Sequence, residues 1–170
     1  TNTDAMVYGI DARDIWVFDG ANFNSIGNQR IKNYFFDNLN PTYYDRVFMV
    51  NNTQKYQIEI YYPDLTSTGW CNKMISYRYD LNIWNAPKDI MSACMGAEGP
   101  IYTGSTFKYA SRTVVYARGI TNNKIVQKDI GYTFSDGTPI SSMFRRDNIK
   151  MLQNYSGKLM VHRILPEAVN

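Results

Sequence analysis

The residues of this chain that could do chemistry are few and scattered. Among 170 residues there is one histidine, His162, and there are two cysteines, Cys71 and Cys94. His162 lies in "KLMVHRIL", with Met160 and Ile164 two places to either side. That is the setting of a packed strand residue rather than of a proton shuttle. A catalytic triad would need this histidine to converge with a nucleophile and an acid. No GxSxG elbow and no Walker-type glycine loop occurs. One histidine with two distant cysteines is a poor zinc set. Carboxylate pairs remain: Asp11 with Asp14, or Glu59 with Asp64, are the pairs that could flank a glycosidic bond. With fifteen acids in the chain such pairs arise in any case, so they carry little weight. "DARD" (Asp11 to Asp14) and "SDGT" (Ser135 to Thr138) hold oxygen donors without the calcium-loop spacing of an EF-hand, and turn capping accounts for both. The expectation is a protein without catalysis, metal or cofactor.

Aromatic side chains are the richer signal. They make up 15% of the chain, and Tyr alone accounts for 14 residues. Tyr joins a flat apolar body to a polar tip, so it suits strand faces and wet interfaces. Trp70 stands in the polar loop "STGWCNK" (Ser67 to Lys73) between two β-rich runs. Three roles are open to it: folding back on its own sheet, anchoring a subunit interface, or stacking on a sugar ring. Trp70, Tyr61 and Tyr43 are the candidate contacts to a partner protein or a glycan.

Charge narrows the partners. Eighteen Lys and Arg against fifteen Asp and Glu give a net +3. The basic residues are scattered apart from Arg145-Arg146 with Lys150 nearby, which reads as a solvated surface group. No basic run suggests a nucleic-acid track. No stretch has the apolar length of a membrane span, and "TNTDAMVYG" lacks a signal pattern. The chain does not begin with Met, which fits a processed form or an excised fragment. The two cysteines form no CxxC and read as free thiols in a reducing compartment.

The elements that must position these residues are mostly strands. In "YQIEIYY", Ile58, Ile60 and Tyr62 share one face, and Gln57, Glu59 and Tyr61 the other. In "KMISYRY", Ile75, Tyr77 and Tyr79 oppose Met74, Ser76 and Arg78. "RTVVYARG", "KIVQKDIGYTF" and "GKLMVHRIL" are further β-rich runs, while "DIWVF" and "RVFMV" are short and continuously apolar, as buried strands are. Turns are expected at Asp19-Gly20, Asn51-Asn52, Asn122-Asn123 and Asp136-Gly137. One helix is expected over "NQRIKNYFFDNLN" (Asn28 to Asn40), with Ile31, Phe35 and Leu39 four apart and Pro41 as its stop. "SSMFRRDNIKMLQ" fits no single state.

One phrase recurs. "IWVFDGANFNSI" (Ile15 to Ile26) and "YRYDLNIWNAP" (Tyr77 to Pro87) each end a strand in aromatic-Asp, continue with Asn, and resume at an aromatic. The aspartates, Asp19 and Asp80, are 61 residues apart. A β-unit recurring with its turn in register suggests a propeller blade or a related array. On that reading Asp19 and Asp80 cap turns, and Trp16 and Trp84 fill the space between sheets. Phe18, Ile58, Ile60, Ile75, Tyr77 and Tyr79 complete the expected core.

The order "IWVFDGANFNSIGNQRIKNYFFDNLN", "DRVFMVNNTQKYQIEIYYPD", "CNKMISYRYDLNIWNAP" resembles the β-propeller region of phage tail structural proteins. These are the tail-nozzle or tail-hub proteins of short-tailed phages and related cyanophage virion proteins. The shared features here are Trp16, Asp19-Gly20, Phe36 to Asn40, Val47 to Val50, Glu59 to Pro63 and Tyr77 to Trp84. They cover roughly Ile10 to Pro87, about half the chain, and Ala110 to Asn170 matches no pattern of the family. Hub proteins are several times longer. The resemblance implies a mostly β fold of propeller-blade-like antiparallel sheets, two to three blades or a partial propeller, with one short helix. Residues 1–90 would be the blade-like repeat region, and 91–170 a further β-rich region, separate or part of the same domain. It implies a structural part of the virion tail (nozzle, hub or adapter), assembled in the host cytoplasm and working through protein–protein interfaces with other tail proteins and with itself. The alternative is a carbohydrate-binding, receptor-recognition module that takes a host surface glycan.

Overall fold

The computed structural model describes residues 6–11, 13–103, 106–118, 125–128 and 139. The expectations for His162, Arg145-Arg146 with Lys150, "SSMFRRDNIKMLQ", "SDGT", and the turns at Asn122-Asn123 and Asp136-Gly137 fall outside those residues.

Strand β1 (Val7–Asp11) pairs with β2 (Asp14–Phe18), and β2 with β3 (Phe23–Ser25), in a small antiparallel meander. The one α-helix among the described residues, α1, follows at Gln29–Asn38. Asn28 caps it, its side chain accepting from the Ile31 N–H at 3.0 Å. At Leu39 the backbone turns extended, two residues before Pro41, and Leu39 bridges to Asp64. The expected helix is therefore present and slightly shorter at both ends.

The large sheet contains β4 (Phe48–Asn52), β5 (Gln57–Tyr62), β6 (Cys71–Arg78), β8 (Lys88–Thr103), β9 (Thr106–Arg118) and β10 (Ile125–Gln127) in the order β10-β9-β8-β6-β5-β4. The short β7 (Ile83–Trp84) pairs with β6. Every pairing is antiparallel, as the period-two pattern requires. Strand β8 runs through residue 90, so the chain on either side of that expected boundary shares one sheet.

The period-two reading of β5 and β6 places two different cores on two faces. Ile58, Ile60, Tyr62 and Ile75 pack with Ile15 of β2 and Phe35 of α1, all buried. The small meander and the helix thus cover this face, with Tyr8, Ile10, Ile31, Leu39, Tyr79 and Trp84 around the rim. Phe35 meets Tyr62 edge-on at 4.9 Å. On the opposite face Tyr61, Met74, Val50, Cys71 and Ala93 form a second cluster. β5 is buried along its whole length because both of its faces are covered.

What covers the second face is the sheet itself. β8 pairs with β6 through its first residues and with β9 through the rest, with register shifts between Ala93 and Met95 and again after Gly99. Such irregularities bend a strand and sharpen its twist. The far half of β8 comes round to the connection between β4 and β5, where Glu98 Oε1 accepts from Thr53 N at 3.1 Å and Thr53 Oγ1 at 2.5 Å. At the centre of the curl stands Glu59, with no solvent exposure. Asn52 Nδ2 (2.9 Å), Gln57 Nε2 (2.6 Å) and Tyr61 OH (2.7 Å) donate to its carboxylate, and Lys128, just past β10, ion-pairs with it.

Several expectations are corrected by this packing. Asn51 and Asn52 belong to β4, and the connection is a 3-10 turn at Thr53–Lys55 that Asn52 caps through the Lys55 N–H. Trp16 and Phe18 do not lie between sheets. Ile15 takes the inward side of β2, so its neighbours Trp16 and Phe18 face outward, where both stand against Phe23. Asp19 caps its turn, accepting from Ala21 N and Asn22 N. Asp80 binds Arg78 first and also takes a backbone N–H contact at Leu81, and the second turn is further ordered by left-handed Asn82, which accepts from Tyr77 OH. The repeated phrase is thus shared turn chemistry in two conformations. Trp84 does fill a junction: it packs on the first core and donates its indole N–H to the Ile26 carbonyl at 3.0 Å.

Burial alone would raise the Glu59 carboxyl, but the Lys128 ammonium and the hydrogen bonds around it hold it below its ordinary value of 4.5. A folded-state value below the unfolded one stabilises above the unfolded value, and that contribution disappears as pH falls through the folded one. Glu59→Gln should cost about 3–5 kcal/mol at neutral pH, because it leaves the Lys128 charge buried without its partner. In Lys128→Met the ammonium no longer opposes burial, so stability at neutral pH falls and the acid-side loss shrinks. Denaturant unfolding between acid and neutral pH checks both, and an unchanged acid limb in Lys128→Met would remove Lys128 from this role.

Candidate functional site

Loop 39–46 and loop 63–70 pack against one another beside the end of the helix. Asn40 N donates to the Pro63 carbonyl at 3.0 Å, and Asn40 Nδ2 to the Ser67 carbonyl at 3.3 Å. Tyr43 and Arg46 lie in or next to the 3-10 turn Tyr44–Arg46, and Trp70 immediately precedes β6. The result is a stack. The Arg46 guanidinium carbon sits 4.6 Å from the Trp70 ring centroid and 4.8 Å from that of Tyr43. A cation between two aromatic faces is attracted by both quadrupoles.

Backbone atoms lock the guanidinium in place. Arg46 Nη1 donates to the Gly69 carbonyl. Gly69 has φ +143°, and a Cβ there would lie 2.8 Å from Arg46 Nη1, so a side chain at this position would be strained and would crowd the guanidinium. Ser67 Oγ donates to the Trp70 carbonyl at 2.6 Å and accepts from Gly69 N at 3.1 Å. Below the stack, the Cys71 thiol donates to the Arg46 carbonyl at 3.1 Å. Ser67, Gly69 and Trp70 therefore shape the seat.

Of the three expected contact residues, the structure brings Tyr43 and Trp70 together and separates Tyr61 from them. Tyr61 has no exposed surface: its ring lies parallel on Phe48 at 4.7 Å and its hydroxyl donates to Glu59. Tyr61 as a partner or glycan contact is therefore corrected, since an inward position on a strand covered on both faces leaves nothing to touch. Trp70 is half-buried against Arg46, and neighbouring Tyr44 is largely exposed. Arg46 escaped the sequence reading. Its only signal was a basic residue three places after a Tyr, and its partner Trp70 is 24 residues further on.

The expected carboxylate pairs behave differently. Glu59 is saturated inside the curl. Asp64 accepts from Thr66 and Asn72, and those bonds, with nearby Lys73, outweigh burial and lower its carboxyl. Asp11 and Asp14 stand opposite one another across the β1–β2 pair, at one end of a groove of about 500 Å³ on the outer face of the small sheet. No disulfide joins Cys71 and Cys94. Burial pushes the Cys71 thiol up to about 12. Among the described residues no three His, Cys, Asp or Glu side chains converge as metal ligands, and no helix is long and apolar enough to cross a membrane.

No protein-family model matches the chain, and no curated protein matches it.

Arg46→Lys should lower stability by about 1–2 kcal/mol, because a compact ammonium stacks less well than a planar guanidinium between two rings. The Trp70 indole resonance should shift with it. Gly69→Ala should act in the same direction. An Arg46→Lys variant with wild-type unfolding midpoint and Trp70 shift would reduce the stack to a passive surface contact.

Proposed function

We propose that this chain is a structural component of a phage virion tail, a nozzle, hub or adapter, that acts through protein–protein interfaces and carries out no catalysis. The observation that carries the reading is the preset Tyr43–Arg46–Trp70 stack with exposed Tyr44 beside it. Trp, Tyr and Arg are the residue types that dominate binding energy at interfaces, and a side chain already held in place loses little entropy on docking. The resemblance over Ile10 to Pro87 supplies the setting, and the antiparallel sheets agree with it.

The partners under this proposal are other tail proteins and further copies of the chain, and the location is the virion.

Light scattering across a concentration series tests the proposal. A discrete oligomer, or a stable complex with co-expressed tail proteins, is the expected outcome. Trp70→Ala and Tyr44→Ala should each weaken the assembly roughly tenfold or more while leaving the fold intact. A strict monomer at every concentration that also fails to join any tail protein would end the structural reading.

A further inference from the structure

The outer face of the small sheet carries a second surface, separate from the stack. In the β1–β2–β3 register, Gly9 lies opposite Trp16, Trp16 opposite Ser25, Phe18 opposite Phe23, and Asp11 opposite Asp14. Cross-strand partners share a face, so these side chains line one surface. Trp16 lies flat on the strand beside it. A Cβ on Gly9 would fall 2.1 Å from Trp16 Cζ2, so only a glycine lets the ring rest there. Phe23 stands at 79° to Trp16 with ring centroids 5.1 Å apart, and Phe18 backs it at 4.6 Å. Phe23 is nonetheless 68% exposed. Two perpendicular apolar walls therefore bound an open groove whose other lining groups are Asp11, Asp14 and Ser25.

The polar end is arranged for hydrogen bonding rather than for charge capture. Asp14 is already occupied: Lys32 Nζ lies 2.9 Å from Oδ1, Ser25 Oγ donates at 2.8 Å, and Ile15 N at 2.7 Å. Burial opposes these contacts but they prevail, holding the Asp14 carboxyl below its ordinary value. Asp11 is exposed and lies at the free edge of the sheet. Its carboxylate can accept two hydroxyls, and the lone pairs of Ser25 Oγ add a further acceptor.

The geometry points to a shallow carbohydrate site in which a neutral pyranose lays its C–H face against Trp16 and Phe23 and donates hydroxyls to Asp11. Mostly apolar walls with a few placed polar groups are what ligand sites offer. The site is one for binding: Lys32, Ser25 Oγ and the Ile15 N–H already hold the Asp14 carboxylate, so Asp14 is not placed as a proton donor. The site is independent of the proposed assembly role, so failure of one leaves the other standing.

The test is an NMR titration of the whole chain with methyl glycosides of glucose, galactose, mannose and N-acetylglucosamine, following the three indole N–H signals. A saturable shift at Trp16, with Trp70 and Trp84 unmoved, is expected for at least one sugar. Asp11→Asn and Phe23→Ala should each weaken that binding about tenfold with an unchanged unfolding midpoint, as loss of a charge-assisted acceptor or of one wall implies. Three results would overturn the assignment. They are no movement of Trp16 with any of the sugars, movement with choline or arginine methyl ester in place of the sugars, and affinity unchanged in both variants.

Discussion

A carboxylate with no access to water sits on β5, one strand in from the β4 edge of the large sheet, and much of the architecture follows from it. Taking Glu59 out of solvent costs several kcal/mol unless its charge and lone pairs are met. Its partners come from three parts of the chain: Asn52 at the end of β4, Gln57 and Tyr61 from β5 itself, and Lys128 beyond β10. A flat sheet in the order β10-β9-β8-β6-β5-β4 would keep Lys128 four strands away. The ion pair therefore requires the sheet to curl, and the register shifts in β8 provide the bend. The Glu98–Thr53 hydrogen bonds hold the same curl at a second point.

Once the sheet is curled, its two faces have different chemistry. The concave face closes over polar groups, with Met74, Val50, Cys71 and Ala93 packed around them. The convex face is mostly apolar, the Tyr62 hydroxyl apart, and needs a separate cover, which the helix and the small meander supply through Phe35 and Ile15. Buried ion pairs often contribute little net stability against an apolar replacement. The role of Glu59 is then to specify which strands meet, while the Ile58–Ile60–Ile75 face supplies most of the hydrophobic stabilisation. The surface features follow from this division. The small meander uses one face for the core, so its other face, with Trp16 and Phe23, is left outward. The loops that join helix to sheet meet at one corner, and there Tyr43, Arg46 and Trp70 stack.

The local elements are legible in the order of residues. Period-two runs gave strands β5 and β6 with their faces correctly divided, the fourfold spacing of Ile31, Phe35 and Leu39 gave the helix, and Asp19-Gly20 gave a capped turn. These are short-range properties, set by backbone geometry and by neighbours a few residues away. Tertiary structure decided the rest. Tyr61 and Tyr43 look alike in sequence, yet one is buried against Phe48 and the other stacks at the surface on an arginine. Phe23 and Trp84 occupy matching places in a repeated phrase, each four residues after its aspartate, yet one is exposed and the other fills a junction, because Phe23 lies on the uncovered face of the small meander and Trp84 packs against the covered face of the large sheet. Which face of a strand is buried depends on what packs against it. For Glu59 that partner was Lys128, 69 residues away, and no local pattern encodes so distant a meeting.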